Sequence, residues 1–333
     1  MTLELEGRRV LVTGAGGFIA SHLTEELARR GAVVRAFTHY NARASRGWLD
    51  GIEPELAERI EFAPGDITDA RSVREAVEGC EYVWHLAALI GIPYSYAAPI
   101  SYVRTNIDGT LNVLEAARDC GVRRLIHTST SEAYGTALSV PISEDHPLQA
   151  QSPYSATKIA ADKLAESYWC SFGVPVVIAR PFNTFGPRQS ARAVIPTITA
   201  QLLAGRGRLE LGALSPTRDL NYVANTVDGM IACASAPNDA LGTVFNLGSG
   251  REISIADLAA LLVKMTGADA EIVSVDERLR PEASEVERLV CDASRARRLL
   301  NWEPRISLEE GLERTIEWLR ANMSFYRPED YTL

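Results

Sequence analysis

The sequence predicts an α/β fold in which a doubly wound parallel sheet is joined to a smaller α/β unit. Two observations predict the sheet. Short β-branched runs alternate with segments of helical spacing, and the first run leads directly into the glycine-rich stretch "TGAGGFIA" at 13–20. A third observation predicts the smaller unit, because proline and glycine become more frequent and the spacing becomes irregular after residue 182.

The first βαβ unit is predicted from a change between strand-like and helical spacing of its apolar residues. A strand is predicted at 8–14, a helix at 18–31 and a second strand at 32–37. Further strands are predicted at 59–66, 82–88, 124–130 and 174–182, and further helices at 69–78, 101–119 and 153–172. Parallel strands joined in this way bind ligands at their carboxyl ends.

The second unit is predicted from amphipathic segments. Helices are expected at 193–205, 254–267 and 307–322, whereas 219–235 and a strand at 243–250 are expected to return to the first unit. The predicted boundaries are therefore 1–182 with 219–252 for the first unit, and 183–218 with 253–333 for the second. No clear element is predicted at 324–333.

Composition excludes several classes of function. The formal charge of −9 on 333 residues disfavours binding to nucleic acid. No apolar run approaches the ~18 residues of a membrane span, and the N-terminal residues do not resemble a secretory signal, so we expect a cytoplasmic protein with no membrane partner. The five cysteines are scattered without a C-x-x-C spacing, which predicts reduced thiols and no metal site.

The glycine-rich stretch is the first feature that carries chemistry. Gly14, Gly17 and Ala20 fit a G-x-x-G-x-x-A spacing between a predicted strand and a predicted helix. Glycines allow a tight turn and the close approach of a pyrophosphate, which the helix N-terminus then stabilises. The motif predicts a Rossmann dinucleotide site.

The region after the second strand bears on the choice of cofactor. No carboxylate stands near Thr38 to accept hydrogen bonds from a ribose hydroxyl, and His39, Arg43 and Arg46 follow closely. A phosphorylated ribose suits such a patch, so NADP is predicted, with NAD as the alternative. An ordinary solvated loop would show the same residues. Asp66 is expected either to accept a bond from the adenine amine or to cap the following helix.

Tyr154 and Lys158 stand four residues apart on one face of a predicted helix. A phenol with a pKa of ~10 is a poor base at neutral pH. A neighbouring ammonium and a positive nicotinamide ring would favour the phenolate, which makes Tyr154 the expected proton acceptor during hydride transfer. A chance Y-x-x-x-K pair is the alternative.

Polar residues end the predicted strand at 124–130, in the stretch "TSTSEAYG". At this position Thr130 is expected to hydrogen-bond a substrate hydroxyl, and Glu132 is expected to act as a general base. The alternative makes Thr130 an ordinary strand residue and Glu132 a solvated charge.

Together these motifs carry a family resemblance. The stretches "TGAGGFIASHL", "HLAA", "TSTSEAYG", "SPYSATK", "RPFNTFGPR" and "TRDLNYV" are similar to the extended short-chain dehydrogenase/reductase family, in its nucleotide-sugar epimerase and 4,6-dehydratase branch. The stretches "HYNARASRGWLD", "ALIGIPYSY", "PFNTFGPRQSARAVIPT" and "RPEASEVERLVCDASRA" resemble the NAD-dependent 4,6-dehydratases of legionaminic acid synthesis, which act on GDP-N-acetylglucosamine. The first unit would then bind NAD(P) and the second a nucleotide-diphosphate sugar.

The resemblance implies a mechanism. Tyr154 deprotonates the C4 hydroxyl as hydride passes to the cofactor, Glu132 removes the C5 proton, water leaves from C6, and the hydride returns to C6. The cofactor is thereby regenerated and stays tightly held. Ser131 stands where dTDP-glucose dehydratases carry an aspartic acid, although GDP-mannose dehydratases resemble this chain in having Thr-Ser-Glu.

The resemblance also implies contacts. The expected catalytic residues are Thr130, Ser131, Glu132, Tyr154 and Lys158. The expected cofactor contacts are Gly14, Gly17, Phe18, Ile19, Thr38, His39, Asn41, Arg43, Asp66, Ile67, Leu86, Ala87, Ala88, Thr128, Tyr154, Lys158 and Pro181. The expected substrate contacts are Tyr94, Ser95, Asn183, Arg188, Val194, Arg218 and Arg280. Arg218, Arg280 and Asn183 would bind the pyrophosphate, and a surface ion pair is the alternative for each arginine.

Several other functions stay open at this stage. A C4 epimerase, a 5,6-dehydratase or a nucleotide-sugar decarboxylase would share most of these residues, although an epimerase has no need of a base at C5. A catalytically silent dinucleotide-binding regulator would not need Tyr154, Lys158, Thr130 and Glu132 together. Family members often dimerise through a four-helix bundle, which here implies a homodimer built from helices 101–119 and 153–172.

Overall fold

The computed structural model describes residues 4–279 and 281–327. Within these residues twelve strands form three sheets. In chain order the strands are β1 (Arg9–Thr13), β2 (Val33–His39), β3 (Ile60–Gly65), β4 (Tyr82–His85), β5 (Arg124–Thr128), β6 (Val176–Pro181), β7 (Asn183–Phe185), β8 (Arg208–Leu211), β9 (Thr217–Tyr222), β10 (Val244–Leu247), β11 (Glu252–Ser254) and β12 (Glu271–Ser274).

The helices follow the same order. They are α1 (Phe18–Arg29), α2 (Pro54–Ala57), α3 (Ala70–Val77), α4 (Ile92–Ala97), α5 (Pro99–Tyr102), α6 (Gly109–Cys120), α7 (Pro153–Phe172), α8 (Val194–Leu203), α9 (Val223–Cys233), α10 (Ile255–Thr266), α11 (Ser294–Leu300) and α12 (Leu308–Ala321). A π-helical turn, Val103–Asp108, joins α5 to α6.

The main sheet has seven parallel strands in the order β10-β6-β5-β4-β1-β2-β3. The order reverses between β1 and β4, so a crevice is expected at the carboxyl ends of these two strands. Helices lie on both faces, and the central strands are almost wholly buried. The Rossmann-type α/β fold predicted from the sequence is confirmed.

The long predicted elements of the main sheet are confirmed to within a few residues, but the region predicted as one helix at 101–119 is divided. It consists of α5, the π-helical turn and α6. The short strands of the two smaller sheets, β11-β9-β7 and β12-β8, were not predicted. Segments of three to six residues depend on pairing with distant strands rather than on local pattern.

The chain leaves the main sheet after β6 and returns to it only with β10. Between them β9 pairs with β7 and β11 instead, while α9 packs on α1 and on β6. The division into two units stays a prediction. Among the described residues, no helix combines the length and apolar character that a membrane crossing requires.

Candidate active site

The glycine-rich loop after β1 is shaped to accept a phosphate group. Gly14 has a positive φ of 69°, and a Cβ there would lie 2.9 Å from the Cα of Ala87, so only glycine fits. No side chain caps the N-terminus of α1, which follows Gly17 directly. Its N–H groups therefore remain available to an anion. A dinucleotide pyrophosphate fits this loop.

A buried hydrogen-bond chain fixes the neighbouring loop. Thr110 donates to a backbone carbonyl at 2.6 Å and so accepts from Nε2 of His85 at 3.0 Å. Nδ1 of His85 then accepts from Thr13 at 2.8 Å, and the Thr13 oxygen accepts from the amides of Leu86 and Ala87. Burial lowers the pKa of His85 well below its ordinary value, so this tautomer stays neutral. This series of hydrogen bonds fixes the loop at Leu86 and Ala87, over which a nicotinamide dinucleotide would lie.

The loop after β2 uses its polar groups internally. The Asn41 amide donates to the carbonyls of His39 and Ser45, and its oxygen accepts from the amides of Arg43 and Ser45. The Asn41 side chain therefore holds the loop together, and its contact with the cofactor stays a prediction. Within the described residues the exposed Arg43 guanidinium makes no hydrogen bond or ion pair.

Arg46 is not a free cation of a solvated loop. Its guanidinium lies 4.2 Å from the centroid of the Phe62 ring and 3.5 Å from the Asp50 carboxylate. Asp66 accepts from the amide and hydroxyl of Thr68, which lowers its pKa. Asp69, not Asp66, caps α3, so the capping alternative for Asp66 was wrong by one turn.

Helix α7 carries the predicted acid–base pair. Ser152 accepts from the amide of Ser155 in a capping box, Pro153 occupies the first position, and Gly173 ends the helix in a left-handed conformation. The helix brings Tyr154 and Lys158 to the carboxyl end of β5, and both side chains are buried. The structure thus brings this pair together with Thr130.

The phenol of Tyr154 is protonated in this environment. Burial raises the pKa of Tyr154 well above its ordinary value, a hydrogen bond with Thr130 lowers it in part, and the Glu132 carboxylate raises it again. Lys158 donates to the Thr128 carbonyl at 2.6 Å. Burial lowers the pKa of Lys158 to about 8, against the opposing effect of Asp162, so the ammonium form predominates at neutral pH. A further positive charge is needed to make Tyr154 a base.

Asp162 organises the strand end beneath Lys158, and the sequence reasoning missed it. One carboxylate oxygen accepts from His127 at 3.1 Å, and the other accepts from Ser129 at 2.6 Å and from Arg180 at 2.7 Å. Because His127 and Ser129 flank Thr128, Asp162 fixes the carbonyl that Lys158 binds. The signal was present, since Asp162 follows Lys158 by one further helical turn.

Thr130 and Glu132 stand at the mouth of the same strand end. Thr130 accepts from the amide of Glu132 at 3.3 Å and caps a single turn, Ser131–Tyr134. Ser131 is buried, whereas Glu132 is half-buried. Within the described residues the Glu132 carboxylate has no hydrogen bond or ion pair, yet it acts on the pKa of Tyr154. Its oxygens are therefore available to a ligand at this site.

Several buried polar atoms of the described residues have no protein partner. Among them are the oxygens Oγ1 of Thr128, Oδ1 of Asn183 and Oε1 of Gln189. Buried oxygens in proteins nearly always bond to protein, water or ligand, so these three atoms are available to a polar ligand. Thr128 and Asn183 were predicted as cofactor and substrate contacts, and Gln189 was not.

The predicted substrate contacts differ in their exposure and in their hydrogen bonds. Tyr94 is partly exposed and packs against Tyr102, which in turn packs edge-on against Tyr154. Ser95 is buried and donates to a backbone carbonyl at 2.6 Å, so it holds α4 rather than presenting a free hydroxyl. Val194 begins α8. The rings of Tyr94 on α4 and Tyr102 on α5 thus lie in series beside Tyr154.

Two of the arginines predicted to contact the substrate, Arg188 and Arg218, have partners within the chain. Arg188 contacts the buried carboxylate of Glu25 at 2.8 Å and donates to Ser21 at 3.2 Å. Arg218 is buried and contacts Glu285 at 2.9 Å. The pair of Arg188 with Glu25 is largely buried and so is not the surface ion pair given as the alternative, and the contact of Arg188 with substrate stays a prediction. Arg280 lies outside the described residues.

The comparisons with known proteins identify the family of the chain. The chain matches the family model described as GDP-mannose 4,6 dehydratase over residues 11–315. It is 34% identical to a UDP-glucose 4-epimerase of Mycolicibacterium smegmatis, covering 94% of this chain and 98% of the relative. It is 33% identical to a UDP-N-acetyl-alpha-D-glucosaminuronate decarboxylase of Bacillus cytotoxicus, covering 94% of this chain and 98% of the relative.

A solved structure extends the comparison to a third activity. The dTDP-glucose 4,6-dehydratase of Streptomyces venezuelae, solved with NAD bound, superimposes with a TM-score of 0.85 at 30% identity, covering 96% of this chain and 99% of that chain. The similar proteins therefore divide among epimerases, decarboxylases and dehydratases. Their identities are nearly equal, so overall similarity does not select one activity.

Proposed function

The chain belongs to the GDP-mannose 4,6-dehydratase family of extended short-chain dehydrogenases/reductases, and from this premise we propose that it is an NAD-dependent nucleotide-sugar 4,6-dehydratase. The proposal is carried by one observation, the Glu132 carboxylate that stands unpaired among the described residues and is electrostatically coupled to Tyr154. A reaction that removes a proton from C5 needs such a base, whereas a C4 epimerisation does not.

The residues divide the proposed chemistry between them. When bound, NAD accepts hydride from C4 and later returns it to C6. Tyr154 takes the C4 hydroxyl proton, and Lys158 lowers the cost of the phenolate charge. Thr130 aligns the hydroxyl, and Glu132 takes the C5 proton that the neighbouring ketone has acidified. Ser131 is buried and cannot donate as strongly as a carboxylic acid, so Glu132 itself is the proposed donor of its proton to the leaving C6 hydroxyl. When hydride then adds at C6, C5 takes a proton from solvent, and Tyr154 releases to solvent the proton that it took from the C4 hydroxyl.

We propose NAD as the cofactor, although the sequence alone predicts NADP. That prediction rested in part on Arg46 as a cation for a 2′-phosphate. In the structure Arg46 is occupied by Phe62 and Asp50, and the Asp50 carboxylate brings a negative charge into the same loop. The homologous 4,6-dehydratase structure contains NAD. The exposed Arg43, the neighbouring His39 and the lack of a carboxylate near Thr38 remain in favour of NADP.

The proposed substrate is GDP-N-acetylglucosamine. This substrate is supported by the sequence resemblance to legionaminic acid dehydratases. The comparisons with known proteins support only the broader class of nucleotide sugars. C4 epimerisation is the second candidate, because Ser131 supplies no acid at the position where dTDP-glucose dehydratases carry one. The two activities differ in the sugar that they need. Only the dehydratase requires a hexose with a primary hydroxyl, and no carboxylate, at C6.

Mass spectrometry of the products separates loss of water, loss of carbon dioxide and unchanged mass, and NMR of the product then identifies a changed stereocentre or, for a 5,6-dehydratase, an unsaturated sugar. The purified chain is expected to convert one member of a panel of GDP-, UDP- and dTDP-sugars to a product lighter by one water. An unchanged mass with a changed stereocentre would identify an epimerase. Loss of carbon dioxide from a uronic acid would identify a decarboxylase, and the absence of any conversion would favour a regulator that only binds dinucleotide.

We also propose a homodimer through α6 and α7. These helices pack together in the chain and leave Leu111, Val103 on the preceding turn and Phe172 exposed. Exposed apolar side chains on adjacent helices are typical of a four-helix interface. Sedimentation should give twice the mass of one chain, and Leu111→Arg should shift it to the monomer. A wild-type monomer at micromolar concentration would contradict the proposal.

A further inference from the structure

The loop after β2, here called the ribose loop and comprising residues 40–51, lies directly on the glycine-rich loop. The amide of Trp48 donates to the Gly16 carbonyl at 3.1 Å. A Cβ on Gly16 would lie 2.5 Å from the Arg46 carbonyl oxygen, and Gly47 has a positive φ of 66°. The two loops therefore meet backbone to backbone, and no side chain fits at either glycine.

The side chain of Trp48 reaches in the other direction, to the end of the described chain. Its ring lies edge-on to Trp318 of α12 at 5.5 Å and to Phe325 at 5.0 Å between centroids. Trp318 also contacts Tyr326 at 6.3 Å, and the Tyr326 hydroxyl donates to the Gln189 carbonyl at 2.7 Å. We call Trp48, Trp318, Phe325 and Tyr326 the aromatic clasp.

The clasp connects two parts that the proposed reaction would use. One end is the ribose loop, whose backbone covers the pyrophosphate-binding turn. The other end is the segment of Gln189, whose side-chain oxygen is buried without a partner and whose neighbour Arg188 is anchored to α1. Aromatic rings meeting edge-on form directional contacts. Opening the ribose loop requires Trp48 to leave both Trp318 and Phe325.

We propose that Trp48 is a positioning residue that keeps the ribose loop closed over the bound dinucleotide and thereby slows its release. The inference rests on the proposed function. A reaction that returns its hydride to the product does not consume the cofactor, so retention costs no turnover. Trp48 lies in the motif "HYNARASRGWLD". We therefore assign this motif to retention of the dinucleotide rather than to recognition of a 2′-phosphate.

The test measures dinucleotide release rather than activity. Wild-type chain, Trp48→Ala, Trp48→Phe and Phe325→Ala are loaded with radiolabelled NAD and chased with unlabelled NAD. Trp48→Ala is expected to release label at least tenfold faster than wild type. Trp48→Phe, which keeps an aromatic ring, is expected to restore most of the retention. Phe325 is 64% exposed, so its truncation spares the fold and should give an intermediate rate.

Trp169→Ala is the matched control. It truncates another half-buried tryptophan, on α7 and outside the clasp. Equal release rates for Trp48→Ala, Phe325→Ala and Trp169→Ala would overturn the inference while leaving the proposed function intact. Failure of the wild-type chain to bind NAD or NADP at all would instead overturn the proposed function, and the clasp with it. If Trp48→Ala does not fold, Phe325→Ala and Trp48→Phe decide the outcome.

Discussion

Replacing Glu132 with Gln is expected to stop the loss of water while sparing most of the oxidation at C4. The amide keeps the size and the hydrogen-bonding capacity of the side chain but cannot accept the C5 proton. Removal of a general base typically costs about 10²–10⁴-fold in rate. Tyr154, Lys158 and Thr130, which serve the first step, are unchanged by this substitution.

Two signals distinguish the steps. In a single turnover the absorbance of the reduced dinucleotide reports oxidation at C4, and exchange of solvent deuterium into C5 reports proton removal. Glu132→Gln should abolish the second signal and retain the first. Ser131→Ala is the matched control, because it alters the adjacent buried residue and should reduce both signals only modestly. Parallel loss of the two signals in Glu132→Gln would exclude Glu132 as the C5 base.

Replacing Asp162 with Asn is expected to lower the free energy of unfolding by about 3–5 kcal/mol, because it leaves the fully buried Arg180 guanidinium without its counter-charge. Burial opposes ionisation of Asp162, but Arg180 and the bond from His127 hold the pKa of Asp162 well below its ordinary value. The stabilisation is therefore complete above the unfolded-state pKa of ~3.9 and is lost as pH falls through the lower folded-state pKa.

Urea unfolding at neutral and at acidic pH measures this effect. The difference between wild type and Asp162→Asn should be large at neutral pH and should shrink as the medium is acidified below about pH 4. Asp145→Asn provides the control, because Asp145 pairs with Arg295 on the surface and its loss should cost less than about 1 kcal/mol. A small, pH-independent difference for Asp162→Asn would show that the buried pair does not stabilise the fold.

The main sheet could be predicted from the sequence because local pattern and global fold agree there. Buried parallel strands form short apolar runs, and a helical period separates them. The pair of Tyr154 and Lys158 could be predicted for the same reason, since i,i+4 spacing on a long helix fixes its geometry. Both predictions depend on regular structure alone.

The partners that could not be predicted are those distant in sequence. Nothing local reveals that Arg188 pairs with Glu25, or that Arg46 lies over Phe62. Arg188 was predicted as a substrate contact from the family resemblance, and Arg46 as part of a cationic patch from its charge. The small strands and the clasp of Trp48 with Trp318 likewise depend on segments brought together only by the fold. Asp162 was the exception, because its spacing from Lys158 was visible and went unused.

The most direct test of the account follows a single label through the reaction. A nucleotide sugar carrying deuterium on C4 is incubated with the chain, and the product is examined by NMR. If one site oxidises C4, removes water and reduces C6, the deuterium must appear on C6. Deuterium remaining on C4, or lost to solvent, would contradict the 4,6-dehydratase assignment.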